Sequence, residues 1–165
     1  MYSKKILFEG ITREFEILKH LGSKVTKSNA TFRLSEWQRS IQELEHYIIS
    51  SLPAQIQLMV AGQRDQAVYM NYTSQFDTFT YKKFSVQLNK SLREIKKIIR
   101  TVKGKAWKEE IEIRGRKGTR ASFLIDYIFT FLWGYKMQLF LQLKASWLIE
   151  LSTFNLRWGK DAPTK

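Results

Sequence analysis

The chain carries only two histidines, His20 and His46, and no cysteine. Thiolate nucleophiles, thiolate metal sites and disulfide frameworks are thereby excluded, and a cysteine-free chain suits a reducing cytoplasm. His46 and Asp126, if they meet, make an acid–base pair able to take and return a proton. A lone helical His more often serves the surface or the packing. Asp126, Thr130 and Gly134 recur at i, i+4 and i+8, a stripe of polar and small residues beside the stripe Tyr127, Phe131 and Tyr135. That stripe either faces a small-molecule pocket or is structural. In the structural reading Asp126 caps or pairs locally, Thr130 bonds a backbone carbonyl and Gly134 admits a close helix. Aromatic residues at helical spacing, such as Tyr127, Phe131 and Tyr135, usually belong to a core.

A second chemistry is suggested by charge. Lys and Arg number 28 against 15 Asp and Glu, a formal net charge of +13 that favours anionic partners. Lys96, Lys97, Arg100, Lys103, Lys105 and Lys108, then Arg114, Arg116, Lys117 and Arg120, would give salt-sensitive phosphate contacts if they clustered in space. No recognition-helix, zinc-finger or RNP-like motif accompanies them, so a solvated face is the plainer reading. Arg114-Gly115-Arg116-Lys117-Gly118-Thr119 lacks Walker spacing and puts its Lys before the second Gly.

The elements that must position these residues are helical. With 44% hydrophobic and 26% charged residues, a chain of 165 residues has the composition of one globular domain spanning 1–165. Leu7, Ile11, Phe15, Leu18 and Leu21 predict a first amphipathic helix ending at Gly22 or a turn later. A loop covers 28–34, and Ser35 is placed to cap a second helix, with Gln38 at the capping-box position. Trp37, Ile41, Leu44 and Ile48 carry that helix to about Ser51, where Pro53 either breaks it or opens a continuation. Residues 54–81 read as a long crossover with a stop between Gly62 and Asp65. Leu88, Leu92, Ile95, Ile99 and Val102 predict helix three, with Lys90, Arg93, Lys97 and Arg100 opposite. Glu110 to Arg114 alternates like a strand but is too short to establish a sheet; an extended arm leading into a turn at 115–118 is expected.

Thr119 is a candidate cap for a last helix near 120–146, apolar on nearly every side. It is long enough to span a bilayer. Asp126 and Lys136 would each cost up to about 2.5–3.5 kcal/mol at the centre of a membrane helix, which points instead to burial in a bundle or against a subunit partner. The opening residues, Met1-Tyr2-Ser3-Lys4-Lys5-Ile6-Leu7-Phe8-Glu9, lack the apolar run of about 7–15 residues that a signal peptide needs, so secretion is not expected.

Four helices with a long link between the second and third, the segment Arg39 to Ile48, the run Tyr135 to Lys144 and the tail Leu151 to Asp161 together resemble the DinB-like superfamily. The resemblance implies an all-α four-helix bundle, often homodimeric, with a pocket at one end where many members hold a divalent metal through three His. Characterised relatives include enzymes that transfer or open groups using low-molecular-weight thiols. The family register puts the first ligand position at His46 or Tyr47 and the other two at Phe131 and Tyr135. Two His cannot supply three imidazoles within one chain, so no catalytic metal is expected, and no other cofactor is expected either.

The expected protein is thus a cytoplasmic, metal-free bundle acting as a small-molecule-binding or dimeric interaction module. Its pocket would draw on His46, Tyr47, Asp126, Thr130, Phe131, Gly134 and Tyr135. A thiol-dependent transferase is one alternative. Non-specific nucleic-acid binding through Lys96, Lys97, Arg100, Arg114, Arg116 and Lys117 is the other.

Overall fold

The computed structural model describes residues 4–62, 65–113, 115–148 and 150–163. Four helices form the bundle: α1 (Lys4–Gly22), α2 (Ile41–Ala61), α4 (Phe84–Thr101) and α6 (Arg120–Ala145). Between them lie α3 (Gln66–Ser74), a 3-10 turn at Tyr81–Lys83, α5 (Gly104–Trp107) and the hairpin β1 (Glu110–Ile113) with β2 (Arg116–Thr119), while α7 (Thr153–Trp158) closes the described chain. The apolar positions of α1 fall as the spacing predicts: Leu7, Ile11, Phe15, Leu18 and Leu21 are all buried.

Cross-helix bonds fix the topology. Lys4 at the start of α1 reaches the Val102 carbonyl beyond the end of α4, and a Cβ on Gly22 at the end of α1 would strike Phe84 at the start of α4. Arg120 donates to the Met59 and Val60 carbonyls at 3.3 Å, and Gln142 donates to the Arg39 carbonyl at 2.8 Å. Helices α1 and α6 therefore run one way and α2 and α4 the other. The parallel pair α2 and α4 needs a long connection, which α3 and the 3-10 turn supply.

Three local expectations are corrected. The cap of α2 is Ser40, not Ser35: the Ser40 hydroxyl accepts from the Glu43 N–H at 3.3 Å, and Glu43 accepts from the Ser40 N–H at 2.8 Å. Trp37 stays outside the helix, 89% exposed. Helix α2 continues through Pro53 to a left-handed cap at Gly62 with φ +68°. The segment after α5 does pair as an antiparallel hairpin, with Ile111 opposite Gly118 and Glu112 opposite Lys117, so Arg116 to Gly118 are strand and the bend falls at Gly115 with φ +78°. Thr119 caps α6, as its position predicts, by accepting from the Ser122 N–H at 3.1 Å. Helix α6 is not enclosed on every side, because Asp126, Thr130, Trp133, Gly134 and Leu141 are exposed along one face. No helix among the described residues is long and apolar enough to cross a membrane.

Candidate functional site: an aromatic cluster between α2 and α6

The antiparallel register of α2 and α6 sets Tyr47 against Phe131 and Tyr135. The Tyr47 and Phe131 rings stack with centroids 5.6 Å apart, Tyr47 meets Tyr135 edge-on at 5.0 Å, and Phe131 lies 4.5 Å from Tyr135. Tyr127 extends the cluster, 6.0 Å from Phe131. At 3.9 Å from the Tyr47 ring the exposed Arg39 guanidinium makes a cation–π contact. Arg39 pairs with no carboxylate among the described residues. Polar atoms continue inward: the Ser51 hydroxyl hydrogen-bonds to the Tyr69 hydroxyl at 2.7 Å, which ties α3 to α2. Burial raises the Tyr47 phenol above its ordinary value, as do hydrogen bonding to and repulsion from Tyr135, while Arg39 and Ser51 pull it back. Tyr47 is therefore a neutral hydroxyl at physiological pH.

Of the two residues open for the first ligand position, Tyr47 joins Phe131 and Tyr135, whereas His46 turns to Phe79, with ring centroids 5.7 Å apart. The donor chemistry at these three positions does not suit a divalent ion: Phe131 offers no donor atom, and the two tyrosines offer phenols where imidazole is wanted. No group of three or more His, Cys, Asp or Glu among the described residues is placed to hold a metal ion.

The other sequence candidates scatter. Asp126 lies roughly two helical turns along the bundle from His46, given the α2–α6 register. Its carboxylate is 58% exposed and pairs with Arg116 at 3.6 Å, so no His46–Asp126 acid–base pair forms. Thr130 is exposed, and so is Gly134, where an added Cβ would meet nothing within 4 Å; Gly134 brings no helix close. The glycine that does so is Gly10 on α1, where a Cβ would lie 2.8 Å from Phe129. The basic set divides in two. On α4, Lys96 donates to the Thr12 hydroxyl at 2.7 Å, Lys97 lies 3.8 Å from Glu94, and Arg100 sits 5.4 Å from the Phe8 ring. Arg116 and the exposed Lys117 belong to the hairpin, and Arg114 lies outside the described residues. Arg120 is structural: besides the α2 carbonyls it binds Glu109 at 2.7 Å and is 14% exposed.

Sequence reasoning missed Arg39, Ser51 and Tyr69 around the cluster. It also missed two carboxylates inside the bundle, one partly and one fully buried. Glu14 on α1 pairs with Lys136 of α6, and the two side chains are 13% and 4% exposed. Glu45 on α2 is fully buried, and neither carboxyl oxygen has a partner among the described residues. No local signal marks these residues, because their surroundings come from helices far away in sequence.

The bundle order and its parallel α2–α4 pair define a DinB-like fold. The chain is similar in fold to the crystal structure of a DinB-like protein from Bacillus subtilis, YjoA, which is 18% identical and superposes with a TM-score of 0.67 over 88% of this chain and 94% of the other. No protein-family model and no curated protein matches the sequence.

Proposed function

We propose that the protein is a metal-independent DinB-like bundle that binds a small planar anion at the Tyr47–Phe131–Tyr135 cluster. One observation carries the reading: the three positions where the resemblance implies metal ligands converge, but as aromatic rings beneath an exposed Arg39 guanidinium. The half-buried Tyr47 and Tyr135 rings offer stacking surface over the buried Phe131, their phenols offer hydrogen bonds, and the guanidinium offers a bidentate partner for a carboxylate. A thermal-shift screen of aromatic carboxylates tests it. A hit should be lost in Arg39→Ala and in Tyr135→Ala. Stoichiometric zinc or nickel in the purified protein would overturn the metal-free reading and bring thiol-dependent transfer chemistry forward.

The same reading includes self-association through the outer face of α6. Trp133 and Leu141, 57% and 48% exposed, flank Gly134 on that face, which supports a second copy as its cover. Sedimentation should show a dimer that Leu141→Glu converts to monomer; a monomeric wild type at tens of micromolar rejects it.

A further inference from the structure

Helix α4 is polarised to an unusual degree. Leu88, Leu92, Ile95 and Ile99 enter the core, while Lys90, Arg93, Lys97 and Arg100 are exposed on the opposite side, a stripe about 15 Å long at the helical rise. The helix contains a single acid, Glu94, beside Lys97. Arg100 is also where the stripe meets a shallow, open groove of 590 Å³ along α1, lined by Lys5, Phe8, Thr12 and Arg13 together with Glu9 and Glu16, with Lys96 of α4 at its edge. The groove combines cations with aromatic faces: Arg100 lies 5.4 Å from the Phe8 ring, and Arg13 lies 5.2 Å from the ring of the exposed Trp158.

We propose that this groove and the adjoining face of α4 bind single-stranded nucleic acid. The phosphates follow Lys90, Arg93, Lys97 and Arg100, and an unpaired base enters the groove against Phe8. Cations tracking a backbone beside an aromatic ring that accepts any base are what sequence-tolerant single-strand binding requires. A duplex keeps its bases stacked inside and gains nothing from the groove. A lipid surface fits less well, because the apolar side of α4 is already spent in the core and cannot insert.

The test is fluorescence anisotropy with labelled single-stranded DNA and RNA of mixed sequence, competed by the matching duplex and by phosphatidylserine vesicles. With three or four phosphates neutralised, affinity should fall about twenty- to fiftyfold from about 50 to about 200 mM salt. Lys97→Glu with Arg100→Glu should weaken binding by about tenfold or more. Lys27→Glu with Lys144→Glu makes the same change in net charge at the other end of the bundle and should cost less than about threefold. Circular dichroism checks that both variants fold. Equal losses in the two variants would mean that net charge alone is responsible and would overturn the proposal. So would a preference for duplex over either single strand, an abasic strand binding as well as a base-bearing one, or vesicles displacing the strand at equal charge.

Discussion

Glu14 on α1 and Glu45 on α2 are carboxylates drawn into the bundle, the first partly and the second fully buried, and the bundle treats them in opposite ways. Glu14 meets Lys136, brought beside it by the parallel run of α1 and α6 across 122 residues of sequence. Glu45 meets Gly22 and Phe84: a Cβ on Gly22 would lie 3.1 Å from its Oε1 and would strike the Phe84 ring. With no cation to stabilise its charge, burial pushes the Glu45 carboxyl up to about 9 from an ordinary 4.5, so it stays protonated at neutral pH. A buried acid needs either a partner or a proton, and which one it takes is decided by the helix opposite.

The largest way to break that contrast is to strand Glu14. Lys136→Met leaves the partly buried Glu14 carboxylate unpaired and should cost up to about 3–5 kcal/mol in urea unfolding, whereas Glu14→Leu with Lys136→Met should recover most of the loss. A single-variant cost below about 1 kcal/mol would show that Glu14 is solvated and the contrast false.

Glu45 should respond with the opposite sign. Above pH 4.5 the unfolded chain releases this proton, while the folded chain holds it to about 9, so stability falls as pH rises through that window. Glu45→Leu removes the penalty and should stabilise the protein by about 3 kcal/mol at pH 7, the cost of holding a carboxyl protonated about 2.5 pH units above its ordinary value. The gain should grow toward pH 9 and vanish near pH 4. A Tm that drops at pH 7 would mean that Glu45 has a partner after all.

The bundle itself was legible because it is written in local periodicity: the stripes of α1 and α4 place their buried residues where the spacing predicts. Pairings such as Glu14 with Lys136 were not, since nothing near Lys136 in sequence says which helix it will face. The Tyr47 cluster was legible only through the family register, and even that left His46 open. At the start of α2 the sequence offers two capping boxes, Ser35 with Gln38 and Ser40 with Glu43. Extending the helix back to Ser35 would bring in Trp37, which the structure leaves in solvent, while Ile41 begins the buried face directly after Ser40. Ser40→Ala should therefore cost about 1 kcal/mol and Ser35→Ala almost nothing, read by paired denaturant curves. Equal losses would return the cap to the earlier serine.

The smallest expected effect concerns a third titratable group, one that faces an amide. The Asn155 Oδ1 accepts the Ser152 N–H at 2.7 Å as part of the α7 cap, which turns its NH2 group toward His20 Nε2 at 3.0 Å and Asp161 Oδ1 at 2.9 Å. In that arrangement His20 Nε2 accepts, which favours the neutral ring with its proton on Nδ1. Burial lowers the His20 value first; Asp161 raises it and Lys24 lowers it again. Because the folded value lies below the ordinary 6.5, the unfolded ring takes up a proton first as pH falls. The stabilising contribution is whole above 6.5 and is lost below it, down through the folded value. NMR titration should place the His20 midpoint below 6.5, and amide exchange across α7 should quicken as the ring protonates and the Asn155 bond breaks. Asn155→Asp substitutes an acceptor for the donor and should move the midpoint upward. A wild-type midpoint at or above 6.5 would mean that Asp161, rather than Asn155, governs the ring, and that the tail is held to α1 by charge and not by the amide.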